Sequence, residues 1–398
     1  MSWTYIIDRG QRLFPTAQGF PLLPLTLIRH HLRAQVQARA LPRIDAYYVD
    51  LEQQDWAATD TSDSSYPEAV LSGTLFDYSA VPYPQAADFL QAWIAACPDS
   101  YHAHLVLGNF CFGRAADIRG FGWADSVTQD RWIGAALACE TAAAALLKAM
   151  TLSPRPVAAC VTMMQMAAHF KEPYWLRQLF EGNPPETITH DDVEEPGLMD
   201  AALAHLAEYG VPRLQPDQAP QALPAWLAPR AEHEMEQGKD YWLLRALELR
   251  PGHLETLIAY AQYLQPRWGG SYEDIDGLAS GPLCEMLTEP QRNAIRWIGL
   301  WDELSDFPQP EETQAVQSHR RRSNRSCSAL CGPRNAARRW VGSRISSVIR
   351  WATTWARVNC IRRAWRRTRE SVFRRGGRDV PQFCARDADS RTYCGACS

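Results

Sequence analysis

The amino-acid sequence predicts an all-α protein in which irregular helical hairpins stack on one another as an α-solenoid. Three observations lead to this prediction. Apolar residues recur with helical spacing through most of the chain, a proline interrupts the helical pattern at similar points, and no regular alternation of strands with helices occurs. A short strand at Ala46–Leu51 is the one exception that the pattern suggests.

The first predicted element is an amphipathic helix over Leu22–Ala40, and residues 57–70 follow as a polar loop rich in Ser, Thr and Asp. Together they make a first region over residues 1–80. The segment Gly19–Ile28 faintly resembles the apolar part of a signal peptide, but two prolines interrupt it and no small-residue cleavage site follows. No apolar run approaches the length of a membrane span. We therefore expect a cytoplasmic protein that has no membrane partner.

Three helical stretches end in the same way, each running into a proline, at Pro98, Pro154 and Pro251, and a second helical stretch follows each proline. Because proline cannot continue the first helix but fits the start of the next, each of these positions predicts the turn of a helical hairpin. A hairpin with one apolar face cannot bury that face alone. Neighbouring hairpins are therefore expected to stack.

The apolar positions after the second and third prolines support the hairpin prediction, since they follow the i, i+3, i+4, i+7 spacing of an amphipathic helix. They are Val157, Cys160, Val161 and Met164 in one hairpin, and Leu254, Leu257, Ile258 and Ala261 in the other. The ending at Ala246–Pro251 resembles tetratricopeptide units, which end a helix with A-L-x-L-x-P. Since the proline spacing does not follow the usual period of about 34 residues, the repeats are degenerate. A proline-rich insertion at about 182–228, around one short helix at Leu198–Glu208, interrupts the predicted helical-repeat domain over 81–310.

Three blocks of sequence carry a resemblance to a known family. They are Ala92–Gly108 (AWIAACPDSYHAHLVLG), Arg119–Gly120 with Trp123–Ala124, and Leu264–Ser271 (LQPRWGGS). In these blocks and their order, the chain from about residue 30 to 305 resembles the bacterial family catalogued as domain of unknown function 4034. The resemblance implies a tetratricopeptide-like helical fold of undetermined biochemical function, and it brings neither catalytic residues nor a cofactor.

The motif residues are predicted to be structural rather than catalytic. They are Pro98, Ser100, Arg119, Gly120, Trp123, Pro266, Arg267, Trp268, Gly269, Gly270 and Ser271. In the third block, Pro266 is predicted to end a helix over Leu254–Leu264, and the glycine pair to form a tight turn. Ser271 then caps the next helix, with Asp274 completing a capping box. Trp268 is predicted to be a buried anchor.

Candidate chemistry outside these blocks is sparse. The segment His190–Glu195 could collect a metal, but it lacks a defined ligand spacing, and we interpret it as a solvated acidic loop. His233 lacks the second histidine that a zinc-protease helix needs, because the position four residues later is Gln237. We predict no catalytic residues, no metal and no cofactor. The alternative is a hydrolase or transferase that uses the His and acidic residues of the insertion.

The composition changes abruptly near residue 319. From Arg320 to Arg391 the chain has 20 Arg, no Lys and four acidic residues, a net charge of +16; since the whole chain carries −4, residues 1–318 carry −20. The interleaved tryptophans resemble a nucleic-acid surface, and Cys327–Cys331 with Cys394–Cys397 resemble the halves of a zinc site. We interpret residues 319–398 instead as the product of a reading-frame shift in a GC-rich gene. This segment is predicted to be disordered or poorly packed and outside the fold.

The predicted function is that of a scaffold for protein–protein interactions whose partner is an unknown protein or peptide. The negative charge of residues 1–318 argues against a specific nucleic acid and favours a basic or neutral partner. Nucleic-acid binding through the Arg-rich tail is a second alternative, and it would depend steeply on salt. Cysteines isolated in apolar helical stretches (Cys97, Cys111, Cys139, Cys160 and Cys284) indicate a reducing compartment. The sequence leaves the oligomeric state open.

Overall fold

The computed structural model describes residues 22–58, 64–120, 124–230 and 238–306. Every regular element within these ranges is an α-helix or a 3-10 helix, and none of the described residues forms a β-strand. The all-α prediction is therefore confirmed. The predictions for Trp123, for His233 and for the Arg-rich tail concern residues outside the described ranges.

The described part of the chain begins with two long and two short helices: α1 (Leu22–Gln37), α2 (Leu41–Ala57), α3 (Tyr66–Ala69) and α4 (Ser72–Leu75). The predicted strand at Ala46–Leu51 is wrong, because the whole segment lies within α2. The buried positions of α2 recur at helical spacing, and this periodicity outweighs the strand preference of adjacent Tyr and Val. These positions are Ile44, Tyr48, Leu51 and Asp55. The predicted polar loop over residues 57–70 is also wrong in its last part, because residues 66–69 form α3.

Among the described residues that follow, the next α-helices are α5 (Tyr83–Ala96), α6 (Tyr101–Arg119), α7 (Gln129–Leu152), α8 (Val157–His169), α9 (Tyr174–Glu181), α10 (Leu198–Glu208), α11 (Gly238–Leu249) and α12 (Leu254–Ala261). The prolines at 98, 154 and 251 each separate two of them, as predicted. Each proline lies two residues after the last residue of one helix and three residues before the first residue of the next. It therefore ends the first helix rather than opening the second.

The helix pairs on either side of the prolines pack in chain order. The three pairs are α5–α6, α7–α8 and α11–α12. Helix α6 of the first pair packs against α7 of the second, and α8 of the second pair packs against α11 of the third. Two last helices, α13 (Tyr272–Ser280) and α14 (Glu289–Asp306), pack against each other, and α14 also contacts α12. A continuous hydrophobic core extends from Ile28 to Ile298. The superhelical path of a solenoid stays a prediction.

Helix α7 is the central core helix. It is long and apolar enough to cross a membrane by length and composition alone, but 78% of its apolar window is buried inside the protein. It lies very close to α6 at Gly108, where an added Cβ atom would lie 2.6 Å from Cγ of Leu146. Only glycine permits this approach of the two helices.

The proline-rich insertion lies on the same helix. Its short helix, α10, has the predicted bounds and packs against α7. Two neighbouring side chains of α7 hold the surrounding loops: Glu140 accepts a hydrogen bond from the Ile188 N–H (3.1 Å), and Thr141 Oγ1 donates one to the Pro212 carbonyl (2.7 Å). Glu140 is only 1% exposed, and burial raises the pKa of its carboxyl to about 7, although the Ile188 N–H and the nearby Arg213 oppose this shift.

We expect Gly108→Ala to destabilise the protein by about 1–3 kcal/mol, since its methyl group would enter the space occupied by Leu146. Gly113 lies on the same helix with nothing within 4 Å of an added Cβ. Gly113→Ala is therefore expected to stabilise by about 0.5–1 kcal/mol through helix propensity. Urea unfolding followed by circular dichroism measures both changes. Equal effects of the two substitutions would contradict the close α6–α7 packing.

Glu140 is expected to make stability depend on pH. The folded-state pKa of Glu140, about 7, lies above its ordinary value of 4.5. The contribution of Glu140 to the free energy of unfolding is therefore fully present below pH 4.5 and is lost as the pH rises through 7. Glu140→Gln should remove this loss and stabilise the protein at pH 8 by on the order of 1–3 kcal/mol. Unfolding measured at several pH values tests this, with the exposed Glu208→Gln as the control. An unchanged pH profile in Glu140→Gln would contradict the prediction.

Candidate functional site

The first motif block forms the junction between α5 and α6. Ser100 caps α6, because its Oγ accepts a hydrogen bond from the Ala103 N–H (3.0 Å). The same hydroxyl donates a hydrogen bond to the Asp45 carboxylate of α2. His104 Nε2 lies 3.2 Å from the Pro98 carbonyl oxygen and spans the connection. Ser100 and the Pro98 carbonyl therefore both take part in the local structure of this junction.

Two residues after Ser100, in the first turn of α6, His102 lies in a group of polar side chains. Its Nε2 is 3.2 Å from the Tyr66 hydroxyl and 3.4 Å from Oε2 of Glu52. A carboxylate, an imidazole and a hydroxyl in this order are the groups that acid–base catalysis uses. However, His102 is only 2% exposed, and its ring stacks on Tyr48 at 5.6 Å between centroids. A substrate cannot reach the ring, and the chain of groups instead joins α2, α3 and α6.

A second buried contact of α2 reaches the third helix pair. Arg250, which follows α11, pairs with the Asp55 carboxylate and donates a hydrogen bond to the Asp55 carbonyl (2.7 Å). Its guanidinium also lies 4.6 Å from the centre of the Trp56 ring. The two residues are 195 positions apart. The buried pair therefore connects the beginning of the described chain to the helices near its end.

The third motif block lies against His169, the last residue of α8. The Trp268 ring lies 4.9 Å from the His169 ring, and the Tyr263 ring lies 5.5 Å from Trp268. Burial, together with the charge of Arg119, lowers the pKa of His169 to about 4. The Arg119 guanidinium lies 5.2 Å from the centre of the Trp132 ring. We call these five residues, Arg119, Trp132, His169, Tyr263 and Trp268, the His169 surface.

Sequence reasoning found two members of this surface, Arg119 and Trp268, but assigned them no common place. It missed Trp132, His169 and Tyr263. No local pattern marks these three as a group, because they come from α7, from the end of α8 and from the turn after α12. Only the tertiary packing brings the His169 and Tyr263 rings to Trp268 and the Trp132 ring to Arg119.

The loop that carries Trp268 is fixed on its C-terminal side. Gly269 has a φ of 87°, which a side chain would strain, and a Cβ at Gly270 would lie 2.3 Å from the Leu264 carbonyl oxygen. Ser271 caps α13: its Oγ accepts a hydrogen bond from the Asp274 N–H, and the Asp274 carboxylate accepts one from the Ser271 N–H (2.8 Å). The predicted glycine turn and capping box are both confirmed.

The loop is also fixed through Arg267. Its guanidinium pairs with the carboxylate of Asp302 on α14, a residue that is only 2% exposed. Tyr272 donates a hydrogen bond to the same carboxylate (3.4 Å). A buried carboxylate is costly unless a cation and hydrogen bonds satisfy it, so this contact holds the Arg267 guanidinium against α14.

Two predictions for this loop are wrong. The helix over Leu254–Leu264 ends at Ala261, and 3-10 turns continue it over Gln262–Leu264 and Pro266–Trp268. Trp268 is not a buried anchor, because 39% of the residue is exposed. The physical reason is the tight turn, in which Arg267 is directed to Asp302 and the indole lies beside His169 at the surface.

In the second block, Gly120 ends α6 with a φ of 78°. Arg119 donates a hydrogen bond to the Gly120 carbonyl (3.1 Å). Trp123 of this block lies outside the described residues.

The predicted acidic loop of the insertion begins with a 3-10 turn at His190–Asp192. His190 Nε2 lies 3.4 Å from Oδ1 of Asp200, and both side chains are exposed. Among the described residues, no group of three His, Cys, Asp or Glu is placed to hold a metal ion. The pair has the geometry of a weak surface ion pair.

We expect Arg267→Met to destabilise the protein by about 2–3 kcal/mol, because it leaves the buried Asp302 carboxylate without its cation. This loss is smaller than is usual for a buried ion pair, since the Arg267 side chain is itself partly exposed. Arg267→Met/Asp302→Leu should recover most of the loss. Thermal and urea unfolding measure both variants. A double variant no more stable than Arg267→Met would contradict the role of the pair.

The described fold can be compared with known proteins. No curated protein and no solved structure matches the chain. A family described as "Domain of unknown function (DUF4034)" matches residues 28–302. This range is more than half of the chain and includes the three motif blocks and every residue of the His169 surface. The chain therefore belongs to the DUF4034 family.

Proposed function

We propose that this protein is a helical scaffold that binds a protein or peptide partner at the His169 surface. The observation that carries this proposal is the exposure of Trp268, at 39%, in a loop whose other side chains are committed to structure. Keeping a large indole partly in water gives up favourable burial. Tryptophan, tyrosine and arginine are also the residues most enriched at the centres of protein interfaces.

The preorganisation of the loop supports the same proposal. Gly269, Gly270 and Ser271 fix the backbone after Trp268, and Arg267 fixes it before. A side chain held in one position loses little conformational entropy when a partner binds. The structural role of the neighbouring motif residues therefore supports a binding role for Trp268, because they hold its backbone in one position.

We also place the protein in the cytoplasm of a bacterium. The described cysteines, Cys97, Cys111, Cys139, Cys160 and Cys284, are all free thiols, which supports a reducing compartment. The bacterial source rests only on the resemblance of the motif blocks. The hydrolase or transferase alternative draws less support, because His190 and Asp200 are both exposed.

Trp268→Ala is expected to weaken capture of partner proteins about thirtyfold, as for the loss of an interface hot spot. The measurement compares proteins recovered by the full chain and by the variant from a cell extract, quantified by mass spectrometry. The expected result is a defined set of proteins that the full chain retains and Trp268→Ala loses.

Trp226 provides a matched control. It is 37% exposed, and its indole N–H donates a hydrogen bond to the Met150 carbonyl (3.2 Å), remote in sequence from the motif blocks. Trp226→Ala removes a tryptophan of the same exposure and should leave the set unchanged. Recovery of the same proteins by the full chain and by Trp268→Ala would overturn the proposal.

A further inference from the structure

We infer that this protein has a second binding site, which recognises an arginine side chain and is occupied by Arg230 of the same chain in the free protein. The site is built around the carboxylate of Glu172, and we call it the Glu172 cage. Its members are Glu172, Phe180, Tyr241 and Trp242. The cage shares no residue with the His169 surface, so it adds a further ligand to the proposed function.

The cage contacts a guanidinium on one edge and on its faces. Nη1 and Nη2 of Arg230 donate hydrogen bonds to the two carboxylate oxygens of Glu172, at 2.7 Å each. The guanidinium carbon lies 3.9 Å from the centre of the Phe180 ring, 4.5 Å from that of Tyr241 and 5.6 Å from that of Trp242. A planar cation with two parallel donors makes both kinds of contact at once, whereas the ammonium of lysine is a point charge. The geometry therefore selects arginine.

Contacts within the protein hold the cage in place independently of Arg230. The Trp242 indole N–H donates a hydrogen bond to Glu172 (2.6 Å), and the Trp242 side chain is fully buried on α11. At Gly238 an added Cβ would lie 2.2 Å from Oε2 of Glu172, so a side chain there would displace the carboxylate. The Glu172 side chain is only 11% exposed, and its carboxylate would be strongly unfavourable without a cation. Arg230 is therefore expected to leave only when another guanidinium takes its place.

Arg230 is held less firmly than the residues that receive it. The described residues from Ala219 to Arg230 contain no helix, whereas the three rings of the cage lie on α9 and α11. Segments outside regular structure open at a lower free energy than core helices. The Nε–H of Arg230 is also buried without a hydrogen-bond partner among the described residues, which is unfavourable. A guanidinium that enters from outside is free of the constraint that this segment imposes.

The charge of the protein favours an arginine-bearing partner. Residues 1–318 carry a net charge of −20, so they attract a basic segment of another protein. The chain has its own source of arginine as well, since 20 Arg lie between Arg320 and Arg391. The ligand is an arginine side chain in both cases. Variants of the cage separate the two sources.

Short synthetic peptides test the site on the full chain. Each contains Ala-Pro-X followed by photoleucine, where X is arginine, lysine or citrulline. The Ala-Pro pair copies the two residues before Arg230, and citrulline keeps the shape of arginine without its charge. After irradiation, mass spectrometry locates the labelled residues, and only labelling at the Glu172 cage is scored.

The arginine peptide should label the cage about tenfold more than the lysine and citrulline peptides, because only arginine makes the paired hydrogen bonds together with the ring contacts. Arg230→Ala should raise labelling by the arginine peptide about tenfold, since the tethered competitor is removed. Glu172→Gln should abolish the preference for arginine. Trp268→Ala should leave these results unchanged, which separates the cage from the His169 surface.

A second measurement covers the case in which Arg230→Ala folds poorly. N-ethylguanidinium should raise the midpoint of thermal unfolding of Arg230→Ala, and ethylammonium at the same concentration should not. If Arg230→Ala instead keeps the stability of the original chain, and Glu172→Gln added to it lowers that stability, an arginine of segment 319–398 fills the vacated cage. This result would support the arginine site and assign its ligand to the chain itself.

Two results would overturn the inference. One is labelling of Arg230→Ala but of the original chain at no peptide concentration, which would show that Arg230 is a permanent structural contact. The other is equal labelling of the cage by the arginine, lysine and citrulline peptides, which would show that the cage does not recognise a guanidinium. Either result would leave the proposed binding surface around Trp268 in place.

Discussion

The fold depends on three acidic side chains of α2 that contact other parts of the chain, of which Asp55 is buried. Asp45, Glu52 and Asp55 all lie on this helix, and each one contacts a different partner: Ser100, His102 and Arg250. A buried carboxylate is strongly unfavourable unless a cation or hydrogen-bond donors satisfy it. Alternative arrangements that separate α2 from the start of α6 or from the end of α11 would therefore leave such groups without partners. The core contributes most of the stabilisation, and these pairs specify which helices meet.

The same constraint positions the candidate site through α6. This helix begins at Ser100, where α2 holds it, and ends at Arg119, about 28 Å away for 19 residues. Its middle lies against α7 at Gly108, so its direction is set at two points. The far end then places the Arg119 guanidinium over the Trp132 ring of α7. One helix thus has a structural beginning and, in our proposal, a functional end.

Most of the motif residues could be interpreted from the sequence because their roles are local. A proline after a helix, a glycine in a tight turn and a serine before an acidic first turn each act within a few residues. The exposure of Trp268 could not be predicted in this way. It depends on the conformation of the turn, in which Arg267 pairs with the buried Asp302 of α14, 35 positions away in the chain. Hydrophobicity alone favours burial of the indole, and here the satisfaction of a buried charge prevails.

The sequence by itself determined the all-α class, the bounds of α10, the prolines that separate helices and the cap of α13. These features follow from periodicity and from backbone chemistry within one or two helical turns. Only the tertiary structure decided that α2 is a helix whose acidic side chains contact distant parts of the chain, and that residues 169 and 268 share one surface. Such features depend on contacts between residues far apart in the chain, and no local pattern records which distant partner will satisfy a given side chain.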